Sequence, residues 1–155
     1  MRARSVAALN LATSQVVTTE RETSLADCAR LMRAEHVGSV VVVDESSGER
    51  RPLGIITDRD IVIEAVALGL DARTLTAGDI MGNRLATVSE DEDVLTALAR
   101  MREHGVRRLP VVDRSGRLAG ILTIDNLLEA FSEQLEAAVG VVKAEQTREN
   151  VLRRG

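Results

Sequence analysis

Gly54-Ile55-Ile56-Thr57-Asp58-Arg59-Asp60 recurs sixty-six residues later as Gly120-Ile121-Leu122-Thr123-Ile124-Asp125-Asn126, and this doubled stretch decides the fold. Upstream of it, Met32-Arg33, Val37 and Val42-Val43-Asp44 recur as Met101-Arg102, Val106 and Val111-Val112-Asp113 at an offset of 69, and Thr18 matches Thr87 at the same offset. The change of offset places a loop three residues longer in the first copy. A register kept across roughly fifty residues per copy means two copies of one unit, since self-similarity at a fixed period marks a repeat architecture.

Each copy reads alike. Ser24 and Asp93 are N-cap residue types, followed at helical spacing by Leu25, Cys28, Ala29 and Met32, and by Val94, Ala97, Leu98 and Met101. The β-branched run 40–43 suits a strand buried on both faces; 109–112 is its partner, with Pro110 expected near a sheet edge. Loops rich in Ser, Gly and charge come next at 45–51 and 114–117. Short strands at 53–56 and 118–122 then run into second helices beginning near Thr57 and Thr123. Gly69 is placed to stop the first of these helices. Short extended leading segments lie at 16–18 and 85–88. The expected organisation is an N-terminal segment 1–15, a first repeat 16–70, a linker 71–84, a second repeat 85–132 and a helical tail 133–155.

Composition narrows the function. The 155 residues include one Phe and no Tyr or Trp, so the core is aliphatic and recognition by stacking on rings is excluded. A net charge of -4 offers no basic excess for a nucleic-acid backbone. Cys28 alone cannot form an internal disulfide, and with two histidines it cannot complete a structural zinc site. Asn10, Thr13, Ser14 and Gln15 break the N-terminal apolar stretch, so neither a signal core nor a membrane span is expected. These features fit a cytoplasmic protein without nucleic-acid or membrane partners.

The two tandem copies, with Gly-aliphatic-aliphatic-Thr-x-x-Asp at the strand-to-helix junction, resemble a cystathionine-β-synthase (CBS) domain pair, the Bateman module. Asp79-Ile80-Met81 ahead of the second copy is similar to the same family. The resemblance covers about residues 5–132. It implies an α/β (α+β) fold of two β-α-β-β-α repeats packed through their sheets with pseudo-two-fold symmetry. It also implies a stand-alone regulatory module with no obligatory cofactor. The module would bind an adenosyl ligand (AMP, ADP, ATP or S-adenosylmethionine) in the cleft between repeats and signal to a regulated partner.

Thr57 and Asp60 stand three apart where a helix begins, which is the spacing of a capping box worth about 1 kcal/mol without any ligand. The resemblance implies instead that both hold the ribose hydroxyls of the ligand. A carboxylate accepts from two vicinal hydroxyls and repels a phosphate, so Asp60 is chemically suited to the sugar. Arg59 between them is either a phosphate ligand or a solvated surface residue. The second copy keeps Thr123 but replaces the acid with Asn126 and places Asp125 where the first has Arg59. Like-charge repulsion there predicts a second cleft that is weak, empty or selective for a less charged adenosyl compound. Arg107 and Arg108 replace Gly38 and Ser39 and are candidates to supply phosphate charge across the cleft, or to pair with surface acids. Under the family geometry Val37, Val106, Thr18 and Thr87 line the base pocket, with Ile56 and Val37 gripping the base; otherwise they are ordinary core.

His36 and His104 sit at helix C-termini, where a partly positive ring suits the dipole. With no nucleophile–base pair, no phosphate-binding Gly-Lys-Ser/Thr loop and no metal-ligand spacing, neither catalytic residues nor metal ligands are expected, and the chain does not read as an enzyme. Ile61-Val62-Ile63-Glu64-Ala65-Val66-Ala67-Leu68 is apolar on nearly every face, and Leu127-Leu128-Glu129-Ala130-Phe131 on more than one. Burial between two copies predicts a homodimer, the alternative being cover by the N-terminal segment or the tail. Leu135, Val139 and Val142 give the tail helical spacing that Gly140 weakens. A ligand-independent dimeric interaction module, in which Thr57 and Asp60 only cap a helix, is the competing function.

Overall fold

The computed structural model describes residues 6–153. In the first repeat, helix α2 (Leu25–Glu35) starts where Ser24 Oγ accepts the Asp27 N–H at 3.1 Å and stops where His36 turns left-handed at φ 54°. Its inward face carries Leu25, Cys28 and Met32. Strand β2 (Ser39–Asp44) has five buried residues in succession because it is the middle strand of three, parallel to β1 (Thr18–Glu20) and antiparallel to β3 (Arg51–Thr57). After β3 come the single-turn helix α3 (Asp58–Ile61) and a π-helical turn, Val62–Val66, and Gly69 closes the segment at φ 66°.

The second repeat repeats this order: β4 (Val88–Ser89), α5 (Val94–His104), β5 (Arg108–Val112) and β6 (Leu118–Thr123), with β5 central. Asp93 caps α5 by accepting the Thr96 N–H at 2.9 Å. The fold is thus α/β, two repeats each holding a three-stranded mixed sheet and helices.

Pro110 departs from expectation: it lies fully buried in the central strand, not near an edge. The physical reason is a missing bond. Val41, sixty-nine residues earlier, donates its N–H to the Val17 carbonyl at 3.0 Å, and a proline has no N–H to donate. The neighbouring strand accordingly shortens, pairing only as Val88 with Val111 and Ser89 with Val112, against three residue pairs between β1 and β2.

Two further short helices cross between the repeats. In α4 (Ala77–Ile80), the Ala77 N–H donates to Thr23 O at 2.8 Å and the Gly78 N–H to Arg21 O at 2.8 Å. In α1 (Ala8–Leu11), the Ala8 N–H donates to Glu92 O at 2.7 Å and the Leu9 N–H to Glu90 O at 3.3 Å. Every donor and acceptor in these pairs has its counterpart 69 residues away. The helix that precedes the first repeat is therefore built onto the second, and the helix that precedes the second onto the first. Ala8 and Ala77 are fully buried in opposite cores. The crossing chain runs so close to the sheets that β3 and β6 need glycine there: a Cβ on Gly54 would lie 2.8 Å from Met81 Sδ and 2.9 Å from its Cβ, and one on Gly120 3.0 Å from the Thr13 carbonyl. Gly54→Ala is expected to cost about 1–3 kcal/mol through overpacking, read as a lower urea midpoint, with Gly120→Ala at the low end of that range.

Helix α6 (Ile124–Arg153) joins the second junction helix and the tail into one element, and Gly140 does not interrupt it. Residues 131–149 are all exposed on it. Among the described residues no helix is long and apolar enough to cross a membrane.

Candidate functional site

The two junctions have the same internal geometry. Thr57 donates both its N–H and its Oγ1–H to Asp60 Oδ2 at 2.8 Å, and the Asp60 N–H returns to Thr57 Oγ1 at 3.1 Å. In the second repeat Asn126 Oδ1 accepts from the Thr123 N–H at 3.0 Å and from its hydroxyl at 2.9 Å, and the Asn126 N–H donates to Thr123 Oγ1 at 3.2 Å. Capping is thus complete in both. What differs is the outer atom. Asp60 uses Oδ2 for the cap and presents Oδ1, an acceptor; Asn126 presents Nδ2, a donor.

A cavity of 230 Å³ opens between the repeats, with Val37, Gly38 and Ser39 on one side and Arg108, Ile121 and Thr123 on the other. It adjoins a larger one of 560 Å³ lined by Val16, Val17, Thr18, Leu31, Glu35 and Val37 of the first repeat. Gly38 connects this cleft to the first junction: its carbonyl accepts the Asp58 N–H at 3.1 Å. Arg108 reaches the same point from the other repeat. A Cβ on Gly38 would lie 3.4 Å from Asp58 Oδ2 and 3.5 Å from Arg108 Nη2, so a carboxylate and a guanidinium converge on this glycine.

Of the residues singled out in the sequence, Thr18, Val37, Arg108 and Thr123 line these adjoining cavities. Thr57 and Asp60 line neither cavity; they are part-buried at the junction on either side of Asp58, whose N–H donates to Gly38 O, and Asn126 is part-buried at the second junction. Arg59 and Arg107 are exposed. Ile56 is fully buried in the first core and shows no surface to the cleft. Val106 lines a separate apolar cavity of 610 Å³ with Leu95 and Leu98, and Thr87 another of 260 Å³ with Arg100 and His104. Gly38, Asp58, Val16, Val17 and Arg100 carry no motif, and the repeat offset is the one signal that finds Arg100. Burial pushes the Cys28 thiol up, partly opposed by its hydrogen bond with Thr19. Among the described residues no three His, Cys, Asp or Glu side chains gather to hold a metal.

The CBS domain family matches residues 6–66 and 77–133. The chain belongs to the CBS domain family. Both matched segments begin at or before the crossing helices, so the sequence unit of a CBS repeat includes the helix it lends to its neighbour. An uncharacterized protein of Methanopyrus kandleri is 40% identical over 126 residues; the match covers 81% of this chain and 63% of that protein, less than two thirds of its length. A solved CBS domain protein from Pyrobaculum aerophilum, complexed with AMP, superposes with a TM-score of 0.75 at 28% identity, covering 86% of this chain and 99% of that one. A CBS domain pair in complex with 5′-methylthioadenosine and S-adenosyl-L-methionine superposes with a TM-score of 0.73 at 25% identity, covering 84% and 98%.

Proposed function

We propose that this CBS pair is a regulatory module that takes an adenosyl ligand, AMP, ADP, ATP or S-adenosylmethionine, in the first-repeat cleft and passes the change in repeat orientation to a partner protein. The observation that carries the reading is the Asp60 carboxylate oxygen that the cap leaves unused, on the helix whose Asp58 N–H is bonded to Gly38 O in the wall of a cleft into which the opposite repeat sends Arg108. With no aromatic ring near, the base lies between aliphatic side chains, Val37 and Val16 among them, and its edge meets backbone groups of the Thr18 strand. Thr57 and Asp60 take the ribose hydroxyls. Arg108 and the exposed Arg59 and Arg107 take the phosphates, each charge-assisted bond contributing about 1.5–3 kcal/mol. A ligand touching both repeats shifts their arrangement only by its difference in affinity for the two states. Val62, Val66, Leu68 and Leu128 are more than half exposed, at 54%, 67%, 63% and 57%, and a second copy of the chain covers them in a homodimer through the 61–68 and 127–131 segments.

The test is a thermal melt and a calorimetric titration of the full chain with AMP, ATP and S-adenosylmethionine. A ligand at about 100 times its dissociation constant stabilises by roughly 2.7 kcal/mol, an upward shift of several degrees. The completeness of both caps without any ligand favours a second reading, an interaction module that binds none. A melt unmoved by all three compounds decides for it.

A further inference from the structure

The base cavity of the first repeat has a smaller counterpart in the second, in which one apolar wall residue is replaced by an arginine. Val16, Val17, Thr18, Leu31 and Glu35 correspond, 69 residues on, to Leu85, Ala86, Thr87, Arg100 and His104, and the volume falls from 560 Å³ to 260 Å³. The exchange that alters the chemistry is Leu31 for Arg100. β1 is an edge strand, and its parallel pairing with β2 through Thr18 and Val41 turns the N–H and C=O of Thr18 outward, where a base edge can meet them. In the second repeat the matching carbonyl is taken: Arg100 Nη1 donates to Thr87 O at 2.5 Å, while Nη2 pairs with Glu92. The Arg100 side chain is about a third exposed, at 37%, and is itself part of the pocket lining.

Pro110 loosens the same strand that Arg100 grips. It removes the N–H that would bond Ala86 O as Val41 bonds Val17 O, and Arg100 holds the same leading strand one residue further on, at Thr87 O, from the neighbouring helix. At the sugar end of the second site the cap is preserved by Thr123 and Asn126, but Asn126 leaves an amide donor where Asp60 leaves an acceptor.

We infer that Arg100 closes the second base pocket, so that each chain takes one adenosyl ligand, at the first repeat, and Arg100 sets that number. This rests on the proposed adenosyl binding at the first repeat. The test is equilibrium dialysis of the full chain with 5′-methylthioadenosine, which carries no phosphate for Asp125 to repel. The unaltered protein is expected to take up one molecule per chain. Arg100→Leu combined with Asn126→Asp, which restores the first repeat's residues at both positions, is expected to take up two, while Asn126→Asp alone stays at one. Arg100→Ala, again with Asn126→Asp, opens the same pocket in case the leucine variant folds poorly, and Arg100→Lys with Asn126→Asp, which keeps a donor for Thr87 O, stays at one. Two molecules per chain in the unaltered protein, or one in both opening variants, overturns the role of Arg100 and leaves adenosyl binding at the first repeat standing. Uptake by no form overturns both.

Discussion

Asp60→Ala is expected to weaken AMP binding about 10–100-fold and to cost the fold about 1 kcal/mol, while Asp60→Asn loses most of the affinity and almost none of the stability. The two losses separate because the two carboxylate oxygens do different work. Oδ2 accepts the Thr57 N–H and hydroxyl, and an asparagine oxygen does the same in the second repeat, where Asn126 accepts from Thr123 at 3.0 Å and 2.9 Å. The second repeat is thus a built-in control for the cap. Oδ1 has no such substitute: asparagine puts an amide donor there, and one acceptor for the ribose hydroxyls becomes a competing donor. Losing a hydrogen bond to a charged group costs about 1.5–3 kcal/mol, which corresponds to that loss of affinity. Calorimetric titration reads the affinity and the urea midpoint reads the cap. AMP binding unchanged in Asp60→Asn would assign this residue to capping alone.

The architecture was legible where signals are local and doubled. Ser24 and Asp93 cap the helices they were expected to cap, Gly69 takes the positive φ of a helix stop, and the β-branched run after Ser39 lies at a sheet centre. The crossing helices were not legible, because each spans four residues and shows too little periodicity to separate from a linker. Pro110 misdirects by a sound rule: proline avoids central strands unless the neighbour yields, and here β4 yields. At the site, a run such as Ile55-Ile56 does not say which side chain faces the cleft. Alternation along β3 put Gly54 and Ile56 inward, so Ile56 became core. Arg100 escaped for another reason. An arginine on an amphipathic helix reads as solvated surface, and its partner is a backbone carbonyl of the edge strand, Thr87 O, that no side-chain motif marks.

Ile56→Ala is expected to destabilise by about 2–5 kcal/mol, a large share of the roughly 5–15 kcal/mol that holds a domain folded. Ile56 is fully buried in a cluster with Leu25, Val40 and Ala77, so the lost carbons leave a cavity inside that core. Leu122, its counterpart, is equally buried against Ala8, Val88 and Leu109, and Leu122→Ala should cost a similar amount. The exchange of α1 and α4 couples the two cores. Ala77 belongs to a segment that continues into the second repeat, and Ala8 reaches the second core from ahead of the first. Neither core can open without withdrawing a helix from the other's chain. Leu118 also donates to the Arg50 carbonyl at 2.8 Å across the far end of the repeats. Both variants should therefore shift one common urea transition, followed by far-ultraviolet dichroism and by amide hydrogen exchange, because the chain has no Trp or Tyr to report on either core. If Ile56→Ala instead split the transition, with amides of β5 and β6 keeping their protection, the repeats would be separable units and the crossing helices mere docking. A single shifted transition means that strain at either junction is felt in both repeats, which a ligand gripping the first cleft needs in order to move the second.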